Sequence, residues 1–173
     1  RLTGALLQSG LDTACPIEIE NGAHFDLLDR RVFRRICRWI RCGHVWAVWL
    51  GTPCTPWSCA RRATEIEPEH ISKGRQCAEI TAKLIRLCNA SGVYWVLENP
   101  KSSKLWSWDP IAKLCAESAV HIAFLPFCAF GTSYQKWTCL KGTLPGLSSL
   151  SRECRCTVNH EILGGLAVFI TPD

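Results

Sequence analysis

The chain has 173 residues, with 20 Lys and Arg against 15 Asp and Glu, a formal charge of +5 and 47% hydrophobic residues. That balance excludes a disordered tail, and the length allows a single domain with a sizeable core. No apolar run approaches the roughly 18 residues of a membrane span, and residues 1–10 lack the charged, apolar and small-residue zones of a signal peptide. There is no Met, even at position 1, which points to a piece of a longer protein.

The predicted elements alternate strand and helix. Residues 16–20 (Pro-Ile-Glu-Ile-Glu) alternate apolar and polar, as a short strand does, and Asn21-Gly22 marks a turn. Asp29 reads as the N-cap of a helix over 30–41, in which Val32, Phe33, Ile36, Trp39 and Ile40 share one side and six arginines share the rest. Such an arginine face either meets phosphates or is simply solvated. Gly43 ends it. Residues 45–50 (Val-Trp-Ala-Val-Trp-Leu) run apolar without a break, which suits a strand buried on both faces of a parallel sheet. A proline-bearing loop covers 51–73, a helical pattern follows over 74–89, and residues 93–97 form a second buried strand ending at Glu98-Asn99-Pro100. A helix over 107–117 starts near Asp109-Pro110, and 120–125 is a further strand.

Short strands alternating with longer helices predict repeated βαβ units, and so an α/β, Rossmann-like doubly wound, mostly parallel sheet. In such sheets ligands bind beyond the carboxyl ends of the strands. The loop after the first buried run reads Pro53-Cys54-Thr55-Pro56-Trp57-Ser58. Its prolines fix its shape, and Cys54 sits where a thiolate can be exposed and stabilised by backbone N–H groups. The second loop places Glu98 just past a buried strand, where a carboxylate is costly unless it binds something. Ser102 and Ser103 are the better helix caps there.

A strand ending in Pro-Cys, then a helix, then a strand ending in Glu-Asn resembles the DNA cytosine-5 methyltransferases, here with Pro100 in place of the family's Val. The resemblance covers about residues 1–140. It implies the S-adenosylmethionine-dependent methyltransferase fold and methyl transfer to C5 of cytosine in DNA. A thiolate adding at C6 makes C5 able to attack an electrophilic methyl group, and a carboxyl at N3 stabilises the charge that develops. It assigns Cys54 as nucleophile, Glu98 as the N3 partner and Asn99 as the residue that shapes the loop. S-adenosylmethionine is the implied cofactor. Glu18 or Glu20 would serve its ribose and Asp26 its adenine, with Pro53 alongside. The family's glycine-rich donor turn would lie before residue 1, so that residues 1–7 read as the helix following it. The implied partner is DNA with one cytosine flipped out of the stack, met by Ser58, Arg61, Arg62, Lys73 and Arg75. The resemblance implies a nuclear location; no membrane and no obligate protein partner are inferred.

The twelve cysteines are read as reduced thiols of an intracellular chain, because Cys37, Cys77, Cys88 and Cys115 sit singly in helical patterns rather than among turns. Towards the C-terminus, Cys154, Cys156 and His160 are zinc-ligand types, with Cys128 or Cys139 as a fourth. Two other readings follow from the same residues. One is an inactive methyltransferase-like domain of a mobile-element or chromatin polyprotein that only binds nucleic acid. The other is a zinc-binding interaction module in which Cys54 is merely structural.

Overall fold

The Asp29 carboxylate accepts the Arg31 backbone N–H at 2.6 Å and so starts helix α2, Arg30–Arg41, as its sequence predicts. The helix buries Val32, Ile36, Cys37 and Ile40. It belongs to a computed structural model that describes residues 2–59, 67–117, 119–157 and 159–161. Ahead of it lies α1, Leu2–Gln8, which buries no residue.

Strand β1 is Ala47–Gly51, and helix α3, Glu69–Ser91, carries the chain to strand β2, Tyr94–Pro100. Gly92, at φ +67°, ends α3 by donating its N–H to the Cys88 carbonyl in the left-handed cap that glycine adopts without strain. β1 and β2 pair in parallel, so β1–α3–β2 is a βαβ unit. Helix α4, Asp109–Cys115, precedes β3, His121–Pro126, and β4, Trp137–Gly142.

The sheet order is β1-β2-β4-β3, with β4 antiparallel to both its neighbours. The expectation of a mostly parallel, doubly wound Rossmann-like sheet is therefore wrong. The fold is a mixed α/β arrangement in which two of the three strand pairings are antiparallel. The cause lies in the connection after β3. Only residues 127–136 separate it from β4, too few for the helix that a parallel crossover needs. The chain turns back and β4 enters beside β2.

The main core lies between the helices and one face of the sheet. Ile40 of α2, Ile85 and Cys88 of α3 and Ile111 of α4 pack there with Trp95 and Leu97 of β2. Leu97 is fully buried, a burial worth roughly 1.5–3 kcal/mol. The opposite face holds a smaller cluster of Val96, Ala123, Leu125, Leu140 and Leu147. Neighbouring residues of β2 thus serve opposite faces, as strand geometry requires.

Two further expectations are corrected. Residues 16–18 have no regular structure, and 3-10 turns occupy Ile19–Asn21 and Ala23–Phe25. The Ile-Glu-Ile-Glu alternation is not a strand, because none of the described strands pairs with it. Nor is β1 buried on both faces. It lies at the edge of the sheet, with Trp46 65% and Trp49 41% exposed, while Leu50 points into the core.

Candidate active site

β1 and β2 end side by side. Glu98 is in register with Gly51 across the parallel pair and with Leu140 across the antiparallel one. β2 does not stop at Glu98, as the sequence suggests, but continues through Pro100 because Asn99 and Pro100 pair with Cys139 and Thr138 of β4.

Beyond β1 the chain enters a 3-10 turn, Thr55–Trp57, with Cys54 at its start and exposed. Three contacts hold this segment. The Thr52 carbonyl accepts a 2.7 Å hydrogen bond from Nδ2 of Asn99, which is buried. The Thr52 hydroxyl shares a 2.8 Å bond with that of Thr81 in α3. Pro53 and Pro56 lie against Gly74 of α3, where a Cβ would come within 2.5 Å of the Pro56 ring. Thr52 is therefore fixed from the sheet and from the helix at once.

Cys54, Thr55, Trp57, Ser58 and Cys59 form one wall of a cleft of about 270 Å³, and Pro100, Ser102 and Ser103 form the other. The Cys59 thiol donates to the Ser102 carbonyl at 2.8 Å, spanning the two walls. Trp106 Nε1 donates to the Pro100 carbonyl at 2.8 Å, and Ser103 accepts the Leu105 backbone N–H. Trp57 stacks at a tilt on Trp108, with ring centroids 5.2 Å apart. Trp57 Nε1 and Asn99 Oδ1 are buried without a hydrogen-bond partner among the described residues.

Glu98 is half-buried, beside the cleft rather than among the residues that line it. Alternation along β2 puts its side chain on the face opposite to that of Asn99. Sequence reasoning missed Thr81 and Gly74. Thr81 and Gly74 read as ordinary members of a helix. Ser102 and Ser103 were visible only as caps, and Ser103 does cap the 3-10 turn Lys104–Ser107.

The residues assigned to a methyl donor separate into two groups. Glu18 and Glu20 are exposed and stand at the end of no strand, so the reason for choosing them is gone. Asp26 is half-buried, and its Oδ1 accepts the Leu28 N–H at 2.8 Å. Its charge reaches Lys73 and Cys77 of α3, either side of the Gly74 on which the Cys54 segment rests. Burial pushes the Cys77 thiol up, and Asp26 adds to the effect.

Of the residues assigned to DNA, Lys73 forms a 2.8 Å ion pair with Glu69, which holds its ammonium above the usual range. Arg75 pairs with Glu67 at 3.2 Å. Both remain more than half exposed. Ser58 is in the cleft wall. Arg61 and Arg62 lie outside the described residues.

All twelve cysteines are free thiols. Cys154, Cys156 and His160 come together with Cys128, and not with Cys139, which is buried in β4. The chain matches no protein-family profile and no curated protein.

Proposed function

We propose that this chain transfers a methyl group from S-adenosylmethionine to C5 of cytosine in DNA, through a covalent bond between Cys54 and C6 of an extruded base. One observation carries the reading: an exposed thiol stands on the rim of a cleft at the carboxyl ends of two parallel strands, fixed by contacts from both sheet and helix.

The cleft has room for one heterocyclic ring, and a base inside a duplex is out of reach, so the target must be flipped out. The Cys54 thiolate adds to C6, and C5 becomes an enamine-like carbon. S-adenosylmethionine, when bound, supplies the electrophilic methyl group that C5 takes up. Water then takes the C5 proton, the C5–H electrons re-form the C5=C6 double bond, and the C6–S bond breaks to restore the thiolate, so no oxidant or reductant is needed. A carboxyl at N3 would stabilise the charge that builds up on addition, and Glu98, the residue the resemblance assigns to it, stands beside the cleft on the face of β2 opposite Asn99. Asn99 positions the Cys54 segment through Thr52. Of the acids assigned to the donor, Asp26 is half-buried and close to α3, with one oxygen engaged by the Leu28 N–H. Lys73 and Arg75 offer exposed cations for the DNA backbone.

A second reading, nucleic-acid binding without catalysis, draws on the exposure of Glu18 and Glu20. A transfer assay separates the two. Incubation with labelled S-adenosylmethionine and cytosine-containing duplex DNA puts label on C5, and Cys54→Ala abolishes it, if the first reading holds. DNA that is bound but never labelled by the wild-type chain favours the second.

A further inference from the structure

Residues 151–161 pose a physical problem. They follow the 3-10 turn Leu147–Leu150, and the described ones have almost no regular secondary structure and contribute no buried side chain. At the start of this segment Ser151 N–H donates to the Ser148 carbonyl and Ser151 Oγ accepts the Phe124 N–H, and two further backbone bonds tie the described residues to the rest of the chain. Arg152 N–H donates to the Phe124 carbonyl on the free edge of β3, and Glu161 N–H donates to Ser133. These four bonds contribute about 2–6 kcal/mol together, while ordering each residue costs about 1–2 kcal/mol. Something else must fasten this segment.

The segment places three ligand-type side chains around a fourth. Cys128 comes from the 3-10 turn Phe127–Phe130 that follows β3 and is 8% exposed. Cys154, Cys156 and His160 come from the segment itself. The three sulfurs and one imidazole nitrogen all lie within 4.8 Å of one another.

We propose that Cys128, Cys154, Cys156 and His160 bind one zinc ion, which pins residues 151–161 to the connection between β3 and β4. Zinc–sulfur bonds of about 2.3 Å and a zinc–nitrogen bond of about 2.0 Å, at tetrahedral angles, put sulfur and nitrogen about 3.5 Å apart and two sulfurs about 3.8 Å apart. The Cys154 Sγ to His160 Nε2 distance is 3.5 Å. That equals one edge of such a tetrahedron, and the 4.8 Å limit accommodates the others. Three thiolates and one imidazole are a soft donor set that suits zinc, and calcium and magnesium poorly. Four protein ligands leave no open position, so the site is structural and not catalytic. Cys154 Sγ already stands within hydrogen-bonding distance of His160 Nε2, so the ligand side chains converge without rearrangement. Nothing in this assignment depends on what Cys54 does.

The test uses the full chain, reduced, stripped of metal and titrated with cobalt(II). The visible bands of tetrahedral cobalt and a near-ultraviolet thiolate charge-transfer band should saturate at one cobalt per chain and vanish when zinc is added. Cys154→Ser and His160→Ala should each weaken or remove them, and Cys42→Ser, which alters an exposed thiol at the end of α2, should leave them intact. Absence of these bands in the wild-type chain, or their persistence in both ligand variants, overturns the proposal. If stripping the metal unfolds the chain, zinc in the protein as purified decides. About one equivalent supports the site, and less than about 0.2 contradicts it.

Discussion

Asn99 and Thr52 stand 47 residues apart in sequence and are joined by a 2.7 Å hydrogen bond from the Asn99 side chain to the Thr52 carbonyl. This bond ties the end of β2 to the segment that presents Cys54. Both partners are buried, so its removal leaves the Thr52 carbonyl without a donor and out of reach of water. Asn99→Ala should cost about 1–3 kcal/mol and should loosen the Cys54 segment in proportion. Urea unfolding measures the first effect, and the rate of Cys54 alkylation measures the second. A change in stability below about 0.5 kcal/mol, with alkylation unchanged, would show that this contact does not hold the loop.

Gly74 and Gly142 both lack room for a side chain, but for different reasons. A Cβ at Gly74 meets the Pro56 ring at 2.5 Å, whereas one at Gly142 meets the Trp95 backbone carbonyl at 2.1 Å. The Pro56 segment can shift outward, and the centre of the sheet cannot. Gly74→Ala should therefore leave a folded chain, destabilised by about 1–3 kcal/mol, with Cys54 displaced and its reactivity altered. Gly142→Ala should reduce the yield of soluble protein sharply, because it separates β2 from β4. Equal stability losses in the two variants, measured by thermal unfolding, would contradict this contrast.

Burial keeps several thiols neutral. Cys88, with a lesser contribution from Cys37, and Cys139 are each raised to about 11 from an ordinary value of 9.0. A raised value in the folded state means that the native chain binds more protons than the unfolded one between these limits. The stabilisation is complete below pH 9 and is lost as the pH rises from 9 to 11. Each thiol contributes on the order of 3 kcal/mol across that window. The melting temperature should fall over this range, and the fall should be shallower in Cys88→Ala with Cys139→Ala once their lower starting stability is subtracted. A melting temperature that stays level from pH 9 to 11 would contradict it.

The sequence exposes some parts of this fold and hides others. Helix α2 is legible because its signals are local: an Asp29 cap and apolar residues at spacings of three and four. The same holds for β2, whose apolar run is central in the sheet. The direction of β4 is not local. It depends on the length of residues 127–136 and on where the returning strand finds a partner. Residues 16–20 show the converse. Their alternation satisfies a strand pattern, but a strand forms only where another strand accepts it. At the site, Cys54 and Asn99 stand out through the Pro-Cys and Glu-Asn motifs. Thr81 and Gly74 do not, because their roles arise from a segment more than fifteen residues earlier in the chain folding back onto α3. Cys128 reads as a possible fourth metal ligand beside Cys139, and only the placement of the two separates them.

The most direct measurement concerns the sulfur itself. Duplex DNA carrying 5-fluorocytosine blocks loss of the C5 substituent, so methyl transfer through a thiolate adduct should leave the chain covalently attached to it. With S-adenosylmethionine present, the wild-type chain should run as a denaturant-resistant protein–DNA complex whose cross-linked peptide contains Cys54, and Cys54→Ser should form none. A complex that still forms in Cys54→Ser, or label transfer to normal cytosine with no trapped complex on the fluorinated base, would contradict the account.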